Sequence, residues 1–160
     1  MGIEKPTILP IRVLILEDSA SDAELMLREL RKAGLDPTWE RVETEQDFAA
    51  RLTPELDLIL SDHALPQFGS SAALQLVRAR GLDVPFIIVS GTIGEDIAVE
   101  AMRNGAHEYL LKDRMARLGQ AALQAIQNRR MRTEMRLSES GFRELEERFV
   151  QLTRKIKDLF

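Results

Sequence analysis

Carboxylate, hydroxyl and ammonium side chains recur in one setting along this sequence. Glu17-Asp18, Asp62, Ser90 and Lys112 each close a short aliphatic run. If those runs are strands of one sheet, their ends bring three carboxylates, a hydroxyl and an ammonium to a single rim. Three carboxylates a few ångströms apart repel, at about 4 kcal/mol per pair for a 4 Å separation and an effective dielectric of 20. Such a rim calls for a cation, and hard oxygen ligands that leave room for water suit Mg²⁺. A carboxylate beside Mg²⁺ can act as a nucleophile toward a phosphoryl group. The metal and an ammonium would then neutralise charge on the transferring oxygens. Asp62, closing the third and central run, is the expected nucleophile, and Glu17 and Asp18 are the expected metal-binding pair. Lys112 would pair with the phosphoryl oxygens and Ser90 would donate a hydrogen bond to them. Each residue also has a plainer reading. The acidic pair could be helix-entry acids favoured by the dipole. Asp62 could form an Asx-turn, Lys112 could be a solvated charge and Ser90 a turn hydroxyl. The coincidence of all of them at four strand ends favours the site.

The elements that must position these residues alternate in type. Strand-like runs cover Arg12–Leu16, Thr38–Val42, Leu56–Ser61, Phe86–Val89 and Glu108–Leu111. Amphipathic stretches separate them. The first runs to about Ala33, with Ser21 as N-cap, Glu24 completing a capping box and Gly34 at the C′ position. Thr44 caps a short helix through Leu52, ended by Pro54. Helices are also predicted from about Ser71 to Arg80, from Glu95 to Asn104, and from near Arg114 onward. Five strands alternating with helices imply an α/β fold, a doubly wound five-stranded parallel sheet. Ligands of such sheets bind beyond the carboxyl ends of the strands, where strand order reverses.

Composition removes other classes. At 160 residues the chain holds one domain with something appended, and 44% hydrophobic residues suffice for one core. A net charge of −4 argues against nucleic-acid binding through bulk charge. The absence of cysteine excludes disulfides, thiol catalysis and cysteine-based zinc sites. No apolar run is long enough to span a membrane. The opening MGIEKPTILP lacks a signal-peptide core, and Pro6 breaks the myristoylation pattern. A cytoplasmic protein is expected. Neither GxxxxGK[ST] nor GxGxxG occurs. His63 and His107 are isolated, and such histidines are more often solvent-facing or packed than ligands. His63 adjoins Asp62 and could modulate access to it.

The stretches VLILEDSASDAELMLREL, DLILSDHALPQFGS and VPFIIVSGTIGEDIAVEAMRNGAHEYLLKD, with their spacing, resemble the bacterial two-component response-regulator receiver family, chemotaxis regulators included. The resemblance covers about Ile11 to Asn128 and implies a flavodoxin-like fold. It also implies phosphorelay signalling with a histidine kinase or histidine phosphotransfer protein as partner. It places the phosphorylated aspartate on Asp62, the acidic metal pair on Glu17-Asp18, the switch hydroxyl on Ser90 and the lysine on Lys112. It further implies an aromatic switch residue at Tyr109 and an Mg²⁺ ligand in the main-chain carbonyl of Ala64. Such a domain catalyses only its own aspartyl phosphorylation and dephosphorylation. One departure stands out: the family commonly has a cis-joined proline after the lysine, where this chain has Asp113. A non-proline cis bond costs about 2.5–4 kcal/mol, so a trans bond or a rearranged turn is expected. The SGTIGED and YLLKDRMARL segments resemble receivers found beside sensor modules in hybrid kinases, whose parent protein could include a histidine kinase.

Residues 1–10 are expected to form a tail, 11–128 the receiver and 129–160 a signalling helix. Met131, Met135, Ser138, Phe142, Leu145, Phe149, Leu152, Ile156 and Leu159 alternate spacings of four and three. That is an a/d seam, apolar except at Ser138. An isolated amphipathic helix is marginal in water, so the seam predicts a partner, most simply a parallel homodimeric coiled coil. A helix folding back on the receiver is the plainer reading. Ser138-Glu139-Ser140-Gly141 could be a hinge, a break or a module boundary, and SESGFRELEERFVQL resembles the lead-in to a PAS sensor domain. Other functional classes are a phosphorylation-independent interaction module and an Mg²⁺-dependent aspartyl-phosphate phosphohydrolase. The latter would need a second acid two residues after the nucleophile, where Ala64 stands. No membrane insertion is expected. Direct nucleic-acid binding is not expected either, since no second globular domain follows the receiver here.

Overall fold

A computed structural model describes residues 7–91 and 94–158. The elements in order are β1 (Leu9–Leu16), α1 (Ala20–Lys32), β2 (Leu35–Val42), α2 (Glu45–Arg51) and β3 (Leu58–Asp62). There follow α3 (Ser70–Ala79), β4 (Phe86–Ser90), α4 (Glu95–Arg103), β5 (Glu108–Leu111), a 3₁₀ helix (Lys112–Arg117) and α5 (Leu118–Lys157). The five strands form one parallel sheet in the order β2-β1-β3-β4-β5. The doubly wound architecture expected from the alternation is thus present, with β3 at the centre.

Strands buried on both faces explain the aliphatic runs. Alternate residues feed two cores, because successive side chains point to opposite faces. Val13, Ile15, Leu58, Leu60, Ile87 and Val89 pack with α1 and with Leu118, Ala122 and Ile126 of α5. Leu14, Leu16, Ile59, Phe86 and Ile88 pack on the other face with Phe48 of α2 and Leu74 and Val77 of α3. Gly119 lets α5 approach α1: a Cβ there would sit 2.6 Å from the Glu29 carbonyl oxygen and 2.7 Å from Ala33 Cβ. Gly34 and Gly105, which end α1 and α4, have φ of 86° and 108°, a region that favours glycine.

Several boundaries differ from the sequence reading. β1 begins at Leu9 and pairs Leu9 with Leu35, so the expected tail is shorter than ten residues and β2 starts at Leu35. β3 starts at Leu58 and extends through Asp62, and β4 extends through Ser90. The N-cap of α1 is Ser19, whose side chain accepts from the Asp22 N–H. Ser21 lies inside the first turn, so Ser21 and Glu24 do not form the expected capping box. Thr44 caps α2 as expected, accepting from the Asp47 N–H. No described peptide bond is cis, so Lys112–Asp113 is trans, and the turn tightens into the 3₁₀ helix.

Contacts divide the chain into two compact units that meet at Ile126 and Gln127. In the second unit the helix runs through Ser138–Gly141 unbroken, and every described side chain from Met131 onward is exposed. The seam residues Met131, Met135, Phe142, Leu145, Phe149, Leu152 and Ile156 are 58–72% exposed. Leu159 lies outside the described residues. Among the described residues no helix is long and apolar enough to cross a membrane.

Candidate functional site at the carboxyl rim of the sheet

Sheet register delivers the rim residues. Leu16 pairs with Ser61, so Glu17 and Asp62 emerge side by side from β1 and β3. Asp62 pairs with Val89, and Ser90 with Leu111, so Ser90 and Lys112 follow on the next two strands. Glu17, Asp62 and Ser90 are buried, Lys112 is half-buried and Asp18 is exposed. Each of Glu17, Asp18 and Asp62 offers a carboxylate oxygen, and these oxygens lie within 4.8 Å of one another.

The two oxygens of Asp62 have different partners. Oδ1 accepts from the Ala64 N–H at 3.3 Å, and Oδ2 accepts from Lys112 Nζ at 3.2 Å. Glu17 Oε1 accepts from the Ser19 N–H at 3.1 Å. Glu17 Oε2 lies 3.0 Å from Lys112 Nζ, but no donor is aligned on it. Burial pushes the Glu17 carboxyl up to about 7, while the Ser19 amide and Lys112 pull it down. Asp18 and the charge of Asp62 push it further up. Lys112 experiences the opposite balance. Burial works against its charge, but the hydrogen bond to Asp22 and the close approach and charges of Glu17 and Asp62 prevail, holding it above its ordinary value. The contact therefore favours the lysine's charge without making Glu17 a comfortable anion.

The donor set fits a divalent cation. Glu17, Asp18 and Asp62 each bring one hard oxygen donor within 4.8 Å of the others, the kind of donor set Mg²⁺ prefers. The buried Glu17 oxygen without an aligned donor is the kind of group a hard cation satisfies.

Two contributors were missed in the sequence. Asp22, in the first turn of α1, accepts from Lys112 Nζ at 2.7 Å, the shortest of the lysine's three ion pairs. Its signal was the true N-cap at Ser19, which places Asp22 three residues on and turned toward the rim. Arg41 of β2 donates to the Glu17 carbonyl at 3.1 Å and the Asp18 carbonyl at 3.4 Å, fixing the acidic loop from behind. Only strand order reveals that role. Gly91 flanks the lysine stem, since a Cβ there would sit 4.0 Å from Lys112 Cδ.

Tyr109 is half-buried against the second core and stands edge-on to the His63 ring at 6.3 Å. His63 Nδ1 is 2.9 Å from Ser70 Oγ, tying the loop after Asp62 to the start of α3. His107 Nδ1 accepts from the Phe86 N–H at 3.1 Å, a structural role at the start of β4.

Known proteins resemble this chain in sequence and in fold. The response regulator receiver domain model matches residues 13–126. Regulatory protein LuxO of Vibrio vulnificus is 37% identical over 99 residues, which cover 61% of this chain and 21% of that protein. Transcriptional regulatory protein QseB of Haemophilus influenzae is 28% identical over 120 residues, covering 75% of this chain and 54% of that protein. The chain thus spans about a fifth to a half of the curated relatives it matches. The crystal structure of a signal receiver domain described as that of a LuxO repressor protein from Vibrio parahaemolyticus superposes with a TM-score of 0.68 at 26% identity, over 79% of this chain and 98% of that one. The receiver domain model extends over most of the sequence and over the carboxyl end of every strand that contributes to the rim, and the chain belongs to the response regulator receiver domain family of two-component signalling.

Proposed function

We propose that this receiver takes a phosphoryl group onto Asp62 from a histidine kinase or histidine phosphotransfer protein. The observation that carries the reading is the rim itself. Asp62 Oδ2 is 3.2 Å from Lys112 Nζ, and Asp62 lies within a cluster of three carboxylates that needs a cation. An Asp62 oxygen attacks phosphorus, and the bond from phosphorus to the donor's imidazole nitrogen breaks, its electron pair leaving with the imidazole. Glu17, Asp18, Asp62 and the Ala64 main-chain carbonyl would hold Mg²⁺, which supplies neutralisation of phosphoryl charge when bound. Lys112 pairs with the phosphoryl oxygens and the Ser90 hydroxyl donates to them. The domain catalyses only its own phosphorylation and dephosphorylation. A cytoplasmic setting goes with this reading.

Phosphorylation adds negative charge and acceptor oxygens. Ser90 is drawn toward them and Tyr109 turns inward, biasing the surface around α4, β5 and the start of α5. Residues 11–128 act as the receiver, and residues 129–160 act as the output helix, pairing with a second copy through the heptad seam. The same helix would lead into a PAS-type module in a longer protein.

Acetyl phosphate with Mg²⁺ tests the acceptor. Intact-mass spectrometry should show one phosphoryl adduct on the wild type and none on Asp62→Asn. Full labelling of Asp62→Asn would overturn the assignment. A beryllofluoride-induced change in mobility separates this reading from a phosphorylation-independent module.

A further inference from the structure

Lys112 has more acid around it than pairing with a phosphoryl group requires. Its ammonium contacts Asp22 at 2.7 Å, Glu17 at 3.0 Å and Asp62 at 3.2 Å. Glu17 and Asp62 belong to the carboxylate group whose geometry suits a metal, and Asp22 does not. Asp22 is instead fixed by the helix it starts. Its N–H donates to Ser19 Oγ at 3.2 Å, and its side chain is held over the rim from α1.

The ammonium touches all three acids, and without Asp22 it has only Glu17 and Asp62 left to bond, two carboxylates that a cation must also use. The shortest contact draws it the other way. We infer that Asp22 is a positioning residue that holds the Lys112 ammonium toward α1, keeping Glu17 and Asp62 accessible to the metal and Lys112 within reach of the phosphoryl group. This rests on the reading of the rim as a metal and phosphoacceptor site.

The prediction concerns binding as well as rate. In Asp22→Asn the ammonium settles on Glu17 and Asp62 and competes with Mg²⁺. Affinity for Mg²⁺ should fall about tenfold, the scale of one hydrogen bond to a charged group. A plain loss of negative charge would also weaken Mg²⁺, so the deciding measurement is a double-mutant cycle. Titration calorimetry with MgCl₂ on the full chain should show that Asp22→Asn changes affinity by less than about twofold once Lys112→Met is present. Asp22→Glu should restore most of the wild-type affinity.

An equal loss from Asp22→Asn in both backgrounds would overturn the inference, because Asp22 would then act by charge alone. Wild-type affinity in Asp22→Asn would also overturn it, while leaving the metal site in place. A wild-type chain with no Mg²⁺ binding would overturn the site reading itself, and this inference with it.

Discussion

Replacing Glu17 with glutamine should make the metal-free protein more stable at mildly alkaline pH. Glu17 has no exposed surface, and burial is the largest influence on its carboxyl, which rises from 4.5 to about 7. The sign follows from linkage. An acid whose folded pKa is raised contributes stability that is fully present below the unfolded value and lost as pH climbs through the folded one. The unfolded chain releases the Glu17 proton near 4.5 and the folded chain near 7, so folding is penalised progressively across that window. At about 1.4 kcal/mol per pH unit, the penalty is on the order of 3 kcal/mol by about pH 8. Lys112 stays charged throughout and keeps its contacts with Asp22 and Asp62 in the variant, so it does not produce this slope. Urea denaturation followed by circular dichroism, in EDTA from about pH 5 to about pH 8, should show wild type falling relative to Glu17→Gln and ending below it. Mg²⁺ should reverse the order, because its binding displaces the Glu17 proton and stabilises only the folded state. Parallel pH curves in EDTA would refute the claim that Glu17 is reluctantly ionised. So would a Glu17→Gln protein that is the less stable of the two at about pH 8.

Other substitutions test the frame around the site. Gly119→Ala should cost about 1–3 kcal/mol in urea denaturation, since its Cβ would lie 2.6 Å from a main-chain oxygen of α1 that cannot easily yield. Thr44→Ala removes the α2 cap on the Asp47 N–H and should cost about 1 kcal/mol while leaving Mg²⁺ affinity unchanged. Phe149→Asp places a charge in the heptad seam and should convert a dimer, read by multi-angle light scattering, into monomer; equal monomer masses for wild type and variant would end the coiled-coil reading. Gly141→Ala, where an added Cβ meets nothing within 4 Å, should raise the helix melting temperature through a propensity gain of about 1 kcal/mol.

The order and type of the elements are legible in the residue pattern, because buried parallel strands require unbroken aliphatic runs and the helices between them require apolar periodicity. Val13–Leu16 and Phe86–Val89 carry that requirement in a few residues. The pattern also points to Glu17, Asp18, Asp62, Ser90 and Lys112, since each follows a run whose end must face the same way. Strand order, which decides neighbours, was not in the local pattern. Only the tertiary structure set β2 beside β1, bringing Arg41 onto the Glu17 and Asp18 carbonyls across 24 and 23 residues of chain. It alone brought Asp22 to Lys112 across 90 residues. The sequence reading puts the α1 N-cap at Ser21, two residues past the true cap at Ser19, because either serine has the side chain a cap needs. Packing of Ala23, Met26, Leu27 and Leu30 against the sheet selected the phase of the helix, and with it the side on which Asp22 stands. Local propensity fixes what an element is; burial of its apolar face fixes which of its polar residues reach the rim.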